Sequence, residues 1–161
     1  MRRKGTTPAQ LEALYRERFE HFARVASAIC GNVDRGRDAV QAAFTTAVRE
    51  RRSFRGSGPV EAWVWRIVVN EARRIAREPR LEPLDTTSAA AANGHSDVPL
   101  ELGALIAALP ERQREALFLR YFADLDYRAI ADVLGIEVGT VSATLSAAHQ
   151  TLRAKLEDVR Q

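Results

Sequence analysis

Two prolines frame the stretch that most restricts how this chain can fold. Between Pro59 and Pro79 runs VEAWVWRIVVNEARRIARE, a segment of helix length. Proline is tolerated in the first turn of a helix and stops one further along, so a single helix is expected from Val60 to about Glu78. The run holds both tryptophans of the chain together with Arg66, Arg73, Arg74 and Arg77, and Arg80 follows it. A soluble helix of this kind can bury one side and offer the other to nucleic acid. Trp63 and Trp65 stand two residues apart and cannot share a face. Trp63, in line with Ile67, is expected in the core, with Trp65 partly exposed.

The flanking segments keep the same period. Leu11, Leu14, Phe22, Val25, Ala26 and Ile29 predict a helix over Ala9–Ile29, with Pro8 at its start and Gly31 and Asn32 as its stop. Its outer face carries Glu12, Arg16, Glu17, Glu20 and Arg24. A second helix is expected over Asp34–Arg52, capped by Asp34 and burying Val40, Ala43, Phe44, Ala47 and Val48. Phe54 to Pro59 then reads as a loop, on its glycines and proline. Residues 79–97 change character: prolines, small residues and acids with no sustained period, which predicts a flexible linker. Helices follow over Val98–Leu109 and Glu111–Phe122. Ala129, Ile130, Val133 and Leu134, a break at Gly135, and then Val141, Leu145, Ala148, Leu152 and Leu156 give the pattern of a helix-turn-helix. Strand alternation is absent. The expected fold is all-α, with two small helical domains over 9–78 and 98–161 joined by the linker.

Charge divides along the same boundary. Residues 1–80 carry 17 Lys and Arg against 9 Asp and Glu, a balance of +8, whereas residues 81–161 carry 7 against 12, a balance of −5. The basic half is the better candidate to meet a phosphate backbone. The one cysteine, Cys30, lies in an apolar run and reads as a small core residue. His21, His95 and His149 are far apart and have no cysteine partners, so no metal is expected. No nucleophile, carboxylate pair or phosphate loop stands at usable spacing, and neither an enzymatic activity nor a cofactor is expected. No apolar run approaches the ~20 residues of a membrane span, and no signal peptide is legible. The expected location is the cytoplasm, without membrane insertion.

The C-terminal half contains Leu109-Pro110, Arg114, Leu119-Arg120, Ile130-Ala131, Leu134-Gly135 and Gly139-Thr140-Val141 in order; the N-terminal half contains Asp38-Ala39-Val40-Gln41, Phe44, Trp63, Arg66, Ile67 and Asn70. In both halves the chain resembles the bacterial RNA polymerase sigma factors, in particular the extracytoplasmic-function (ECF) group of the sigma-70 family. The likeness covers roughly residues 11–156. It implies a sigma region 2 domain, a sigma region 4 helix-turn-helix domain, and a protein that binds core RNA polymerase and directs promoter recognition, DNA melting and transcription initiation. An anti-sigma factor is a further partner the resemblance suggests.

Carried over by position, the resemblance places Asp38, Gln41 and Phe44 on the polymerase-binding surface. It places the minus-ten strand, with one base flipped into a protein pocket, against Phe54, Arg55, Trp65, Arg66, Asn70, Arg73, Arg74 and Arg77. Aromatic rings stack on unpaired bases, arginines hold the backbone, and asparagine can read a base edge. Minus-thirty-five DNA would fall to Thr140, Ser142, Thr144, His149 and Arg153. The chain departs from the family pattern at Ala42, where an acid is usual, at Arg74, where the family has an acid, and at Val69, where it has a base. Basic residues are typical about where Ser142, Thr144, Ala147 and His149 stand. Here the helix has no permanent positive charge before Arg153, and residues 98–161 carry 7 basic against 9 acidic side chains. Weak minus-thirty-five recognition is therefore expected. Two other readings stay open: a diverged sigma-like protein acting through protein contacts, and a conventional helix-turn-helix regulator.

Overall fold

The computed structural model describes residues 5–79 and 100–161. The expected start of the fourth helix at Val98, His95, and all of the linker but Pro79 lie outside the described residues.

Helix α1, Pro8–Cys30, begins with a reciprocal cap: the Thr7 hydroxyl accepts from the Gln10 N–H at 3.2 Å, and the Gln10 side chain accepts from the Thr7 N–H at 3.0 Å. Gly31 ends it in the left-handed region at φ 71°. Helix α2, Val33–Arg49, is capped two residues earlier than the sequence suggests. Asn32, not Asp34, has extended backbone and accepts from the Arg35 N–H, which leaves Asp34 exposed in the first turn, where its charge suits the helix dipole. The helix also stops early, and Arg51–Ser53 form a 3₁₀ turn. Gly36 lets α1 and α2 touch closely: a Cβ there would lie 2.2 Å from the Ser27 Oγ and 2.5 Å from its Cα.

Helix α3, Val60–Arg77, packs across α1 and α2. It reverses the expectation for the tryptophans. Trp65 is the core residue, 0 % exposed, with its ring centroid 4.3 Å from that of Phe22, and Trp63 is only half-buried. The buried register is Val64, Trp65, Val68, Val69, Ala72 and Ile75, one position off the line through Ile67. The apolar run is wide enough to accept either register from sequence; the depth of the α1–α2 groove selects this one. Val48 leaves the expected core stripe and is 40 % exposed. Cys30 is buried as expected, against the Ala72 carbonyl.

The second unit comprises α4 (Leu100–Ala107), α5 (Glu111–Tyr121), α6 (Tyr127–Leu134) and α7 (Val138–Arg160). Asp126 caps α6, Gly135 turns the chain at φ 67°, and α6 and α7 meet at 98°, a helix-turn-helix angle. Glu137 stands at the N-cap of α7 with no side-chain cap bond. Val141, Leu145 and Ala148 are buried, but Leu156 is exposed because the C-terminal turns of α7 run past the bundle. Among the described residues there is no strand. The two units pack on each other, α1 against α5 and α3 against α6.

Candidate nucleic-acid interface

A cleft of about 530 Å³ opens beside the N-terminal half of α3. Its walls come from the segment after the 3₁₀ turn, namely Phe54, Arg55 and Pro59, and from Trp63 and Arg66 on the helix. Phe54 turns inward and its ring lies 5.5 Å from Trp63, which braces the tryptophan in the cleft wall. Gly56 allows the loop to reverse at φ 71°. Trp63 and Arg66, three apart on the helix, present an aromatic face beside a guanidinium, while Arg55 stands exposed on the loop. An aromatic face flanked by two guanidinium groups suits a flat, unpaired base and its phosphates.

Along α3, Arg66, Asn70 and Arg77 are exposed, as a reading face requires. Two other arginines on this helix have protein partners. Arg73 bonds Glu115 of α5 through both guanidinium arms, Nε–Oε1 at 2.9 Å and Nη2–Oε2 at 2.5 Å. The hydrogen bond to Glu115 raises the Arg73 pKa against the opposing effect of burial. Arg74 is clasped by Glu71 at 2.9 Å and Glu78 at 2.8 Å, and the hydrogen bond to Glu71 is the largest cause of its raised pKa. Trp65, expected at the interface, is enclosed in the core and cannot stack on a base.

On α2, Asp38 and Gln41 are exposed, and the Gln41 amide donates to the Tyr15 hydroxyl at 2.7 Å. Phe44, expected on this surface, is buried with its ring edge-on to Tyr15 and Phe22; it supports the face from beneath. The exposed residues in register with Asp38 and Gln41 are Thr45 and Val48, of which Val48 is the apolar one.

On α7, Thr140, Ser142, His149 and Arg153 are exposed. Thr144 is half-buried and its hydroxyl donates to the Thr140 carbonyl at 2.7 Å. His149 shares a hydrogen bond with the exposed Tyr121 at 2.9 Å, so a tyrosine joins this face that the motif alone did not reveal.

Sequence reasoning missed Trp63, Val48, Glu115 and Asp132. Asp132 of α6 lines the cleft of the first unit. Only the charge split between the halves pointed to an acidic residue there. No group of His, Cys, Asp or Glu suited to a metal ion occurs among the described residues.

Comparison with known proteins accounts for both units. The family model for sigma-70 region 2 matches residues 14–80, and that for sigma-70 region 4 matches residues 100–152. The ECF RNA polymerase sigma-E factor of Escherichia coli (strain K12) is 32% identical, across 87% of this chain and 83% of that protein. The chain belongs to the ECF group of the sigma-70 family. RNA polymerase sigma factor SigV of Bacillus subtilis (strain 168) is 26% identical over 97% of this chain and 96% of its own. Two solved structures share the fold. CnrH, in complex with the cytosolic domain of CnrY, superposes with a TM-score of 0.75 at 23% identity, covering 94% of this chain and 90% of that one. The sigma factor RpoE of Bartonella quintana, in complex with the anti-sigma factor NepR, gives 0.65 at 21% identity, covering 91% and 98%. As a sigma factor, the chain directs transcription initiation, in a family that binds core RNA polymerase and promoter DNA and is not generally enzymatic. No single helix among the described residues is long and apolar enough to cross a membrane.

Proposed function

We propose that the cleft beside α3 captures an unpaired base of the minus-ten strand. The observation that carries this reading is the braced Trp63 with Arg55 and Arg66 around it. Arg66, Asn70 and Arg77 continue the contact along the strand, and Arg73 joins them once released from Glu115. The polymerase-facing surface is Asp38, Gln41 and Val48 on α2, with Phe44 fixing it from below. Thr140, Ser142, Thr144, His149 and Arg153 form the minus-thirty-five face. Its lack of cations before Arg153 makes its electrostatic contribution small, and the minus-ten contact correspondingly more important. In domain terms, residues 9–78 form region 2, residues 79–97 the linker and residues 98–161 region 4. Bond-making belongs to the polymerase, so the chain acts in the cytoplasm as a specificity factor without chemistry of its own. The two structural neighbours are held by CnrY and NepR, which supports an anti-sigma factor as a regulatory partner here too.

Transcription of random promoter fragments by purified core polymerase with and without this chain tests the reading. Factor-dependent products are expected, with a shared minus-ten element among the selected fragments. Products from wild type that persist unchanged with Trp63→Ala and Arg66→Ala would exclude the cleft as the base pocket.

A further inference from the structure

The residues ahead of α1 are fastened to the turn that opens the base cleft. The Thr6 N–H donates to the Arg51 carbonyl at 3.1 Å, and Thr6 is 6% exposed. Its hydroxyl donates to the Gln10 Oε1 at 3.0 Å, the same oxygen that accepts from the Thr7 N–H. Gly5 lies so close to the turn that a Cβ there would stand 3.1 Å from the Arg51 carbonyl oxygen and 3.2 Å from the Arg52 Cα. The sequence before Gly5 is Arg2-Arg3-Lys4. Three residues span at most about 11 Å of chain, so connectivity alone keeps these cations near the 3₁₀ turn. Arg52 is exposed on the turn itself, and Arg55 is exposed in the cleft wall. Neither has an ion-pair partner among the described residues. The one carboxylate between Asp38 and Glu61 is that of Glu50, which stands 3.9 Å from Arg49.

We propose that Arg2, Arg3 and Lys4 act with Arg52 and Arg55 as a phosphate clamp on the strand whose base enters the cleft. The inference rests on that cleft being the minus-ten pocket. Cations gathered around a single carboxylate fit a polyanion. The neighbouring Phe54–Trp63 pair favours single-stranded DNA over an acidic peptide, because an unpaired base stacks on an aromatic ring and a carboxylate does not. The anchor matters as much as the charge. Cations on a loose chain end spread through a wide volume, whereas fastening at Gly5 and Thr6 holds them at high effective concentration beside the loop. The clamp supplies at the minus-ten end the phosphate contact that α7 lacks. It is blind to sequence, and Trp63, Arg66 and Asn70 are left to read the bases.

The test uses the full chain assembled on core polymerase. Fluorescence anisotropy follows binding of a labelled single strand that carries the selected minus-ten element, over a range of salt concentrations. For single strands, log affinity falls against log salt with a slope of about 0.7 per phosphate contact. Arg2→Ala, Arg3→Ala and Lys4→Ala together should lower that slope by about 2. These residues precede every helix, so the thermal midpoint should not move. Three cations removed elsewhere, in Arg16→Ala, Arg128→Ala and Arg160→Ala, should leave the slope in place. Thr6→Pro keeps every charge and removes the N–H that binds the Arg51 carbonyl, and it should also lower the slope. An unchanged slope in the first triple variant or in Thr6→Pro, or an equal loss in the control, would overturn the proposal. So would polyglutamate that displaces the strand as well as an unlabelled strand of the same length does, which would mark a surface for acidic protein. Trp63→Ala separates the clamp from the pocket, because it should weaken binding at every salt concentration with the slope unchanged. Full affinity in Trp63→Ala with a lowered slope in the triple variant rejects the pocket and keeps the phosphate contact. Weakened binding in Trp63→Ala with a full slope in the triple variant keeps the pocket and rejects the clamp.

Discussion

Trp65 and Trp63 are neighbours in sequence with opposite surroundings, and substitution should separate them. Trp65 fills the space between α3 and Phe22 with no exposed surface, so Trp65→Ala is expected to cost about 3–5 kcal/mol of stability, read as a shift in the urea midpoint. Trp63 is half-buried against Phe54. Trp63→Ala should leave that midpoint nearly in place and weaken single-strand binding by about 1–3 kcal/mol, about 5- to 150-fold. A stability loss as large as that of Trp65→Ala would return Trp63 to the core. His21 offers a different test. Burial first, then Arg18 and Arg24, lower its pKa below 6.5, against Asp124 and Glu61, which raise it. The folded state therefore prefers the neutral ring. Its contribution is complete above pH 6.5 and is lost as pH falls through the lowered value, because the unfolded chain takes up the proton first. The thermal midpoint should fall between about pH 7.5 and about pH 5, and fall less in His21→Gln. Parallel pH profiles for the two proteins would remove His21 as the cause.

At the level of elements, α1 and α2 depend on a missing side chain. A methyl group at Gly36 would collide with the backbone of Ser27, which cannot yield as a flexible side chain could. Gly36→Ala should destabilise by about 1–3 kcal/mol despite alanine's better helix propensity, because overpacking outweighs it. Thermal melts that show Gly36→Ala equal to or above wild type would mean the helices can separate without cost. Helix α7 presents a polar, nearly uncharged face: Ser142 is free to bond outward, whereas the Thr144 hydroxyl is engaged by Thr140. Ser142→Arg with Thr144→Arg should tighten duplex binding and steepen its salt dependence by about 0.9 for each added phosphate contact. An unchanged slope would place this face away from DNA.

For the whole molecule, the charge split read from the sequence first suggests two domains with separate partners, and in the folded chain the halves are partners of each other through Arg73 and Glu115. The sequence by itself settles the helical class, the breaks at Gly31, Pro79 and Gly135, and the family. Prolines and glycines act through local backbone geometry, and the apolar period and motif spacing are properties of order along the chain. Most surface candidates are legible for the same reason: Asp38, Gln41, Arg66, Asn70 and Arg77 are all exposed as their positions suggest. Tertiary structure decides what local pattern leaves degenerate. Helix α3 has apolar residues on more than one line, so only the groove it lies in determines that Trp65 is buried and Trp63 faces the cleft. The same holds for Val48 and Phe44, whose exposure depends on where α2 ends and what packs on it. Glu115 and Asp132 reach the reading face of the first unit only because distant segments meet. That opening stretch between two prolines is thus a helix by local rules, while the side it leaves exposed is chosen by its neighbours.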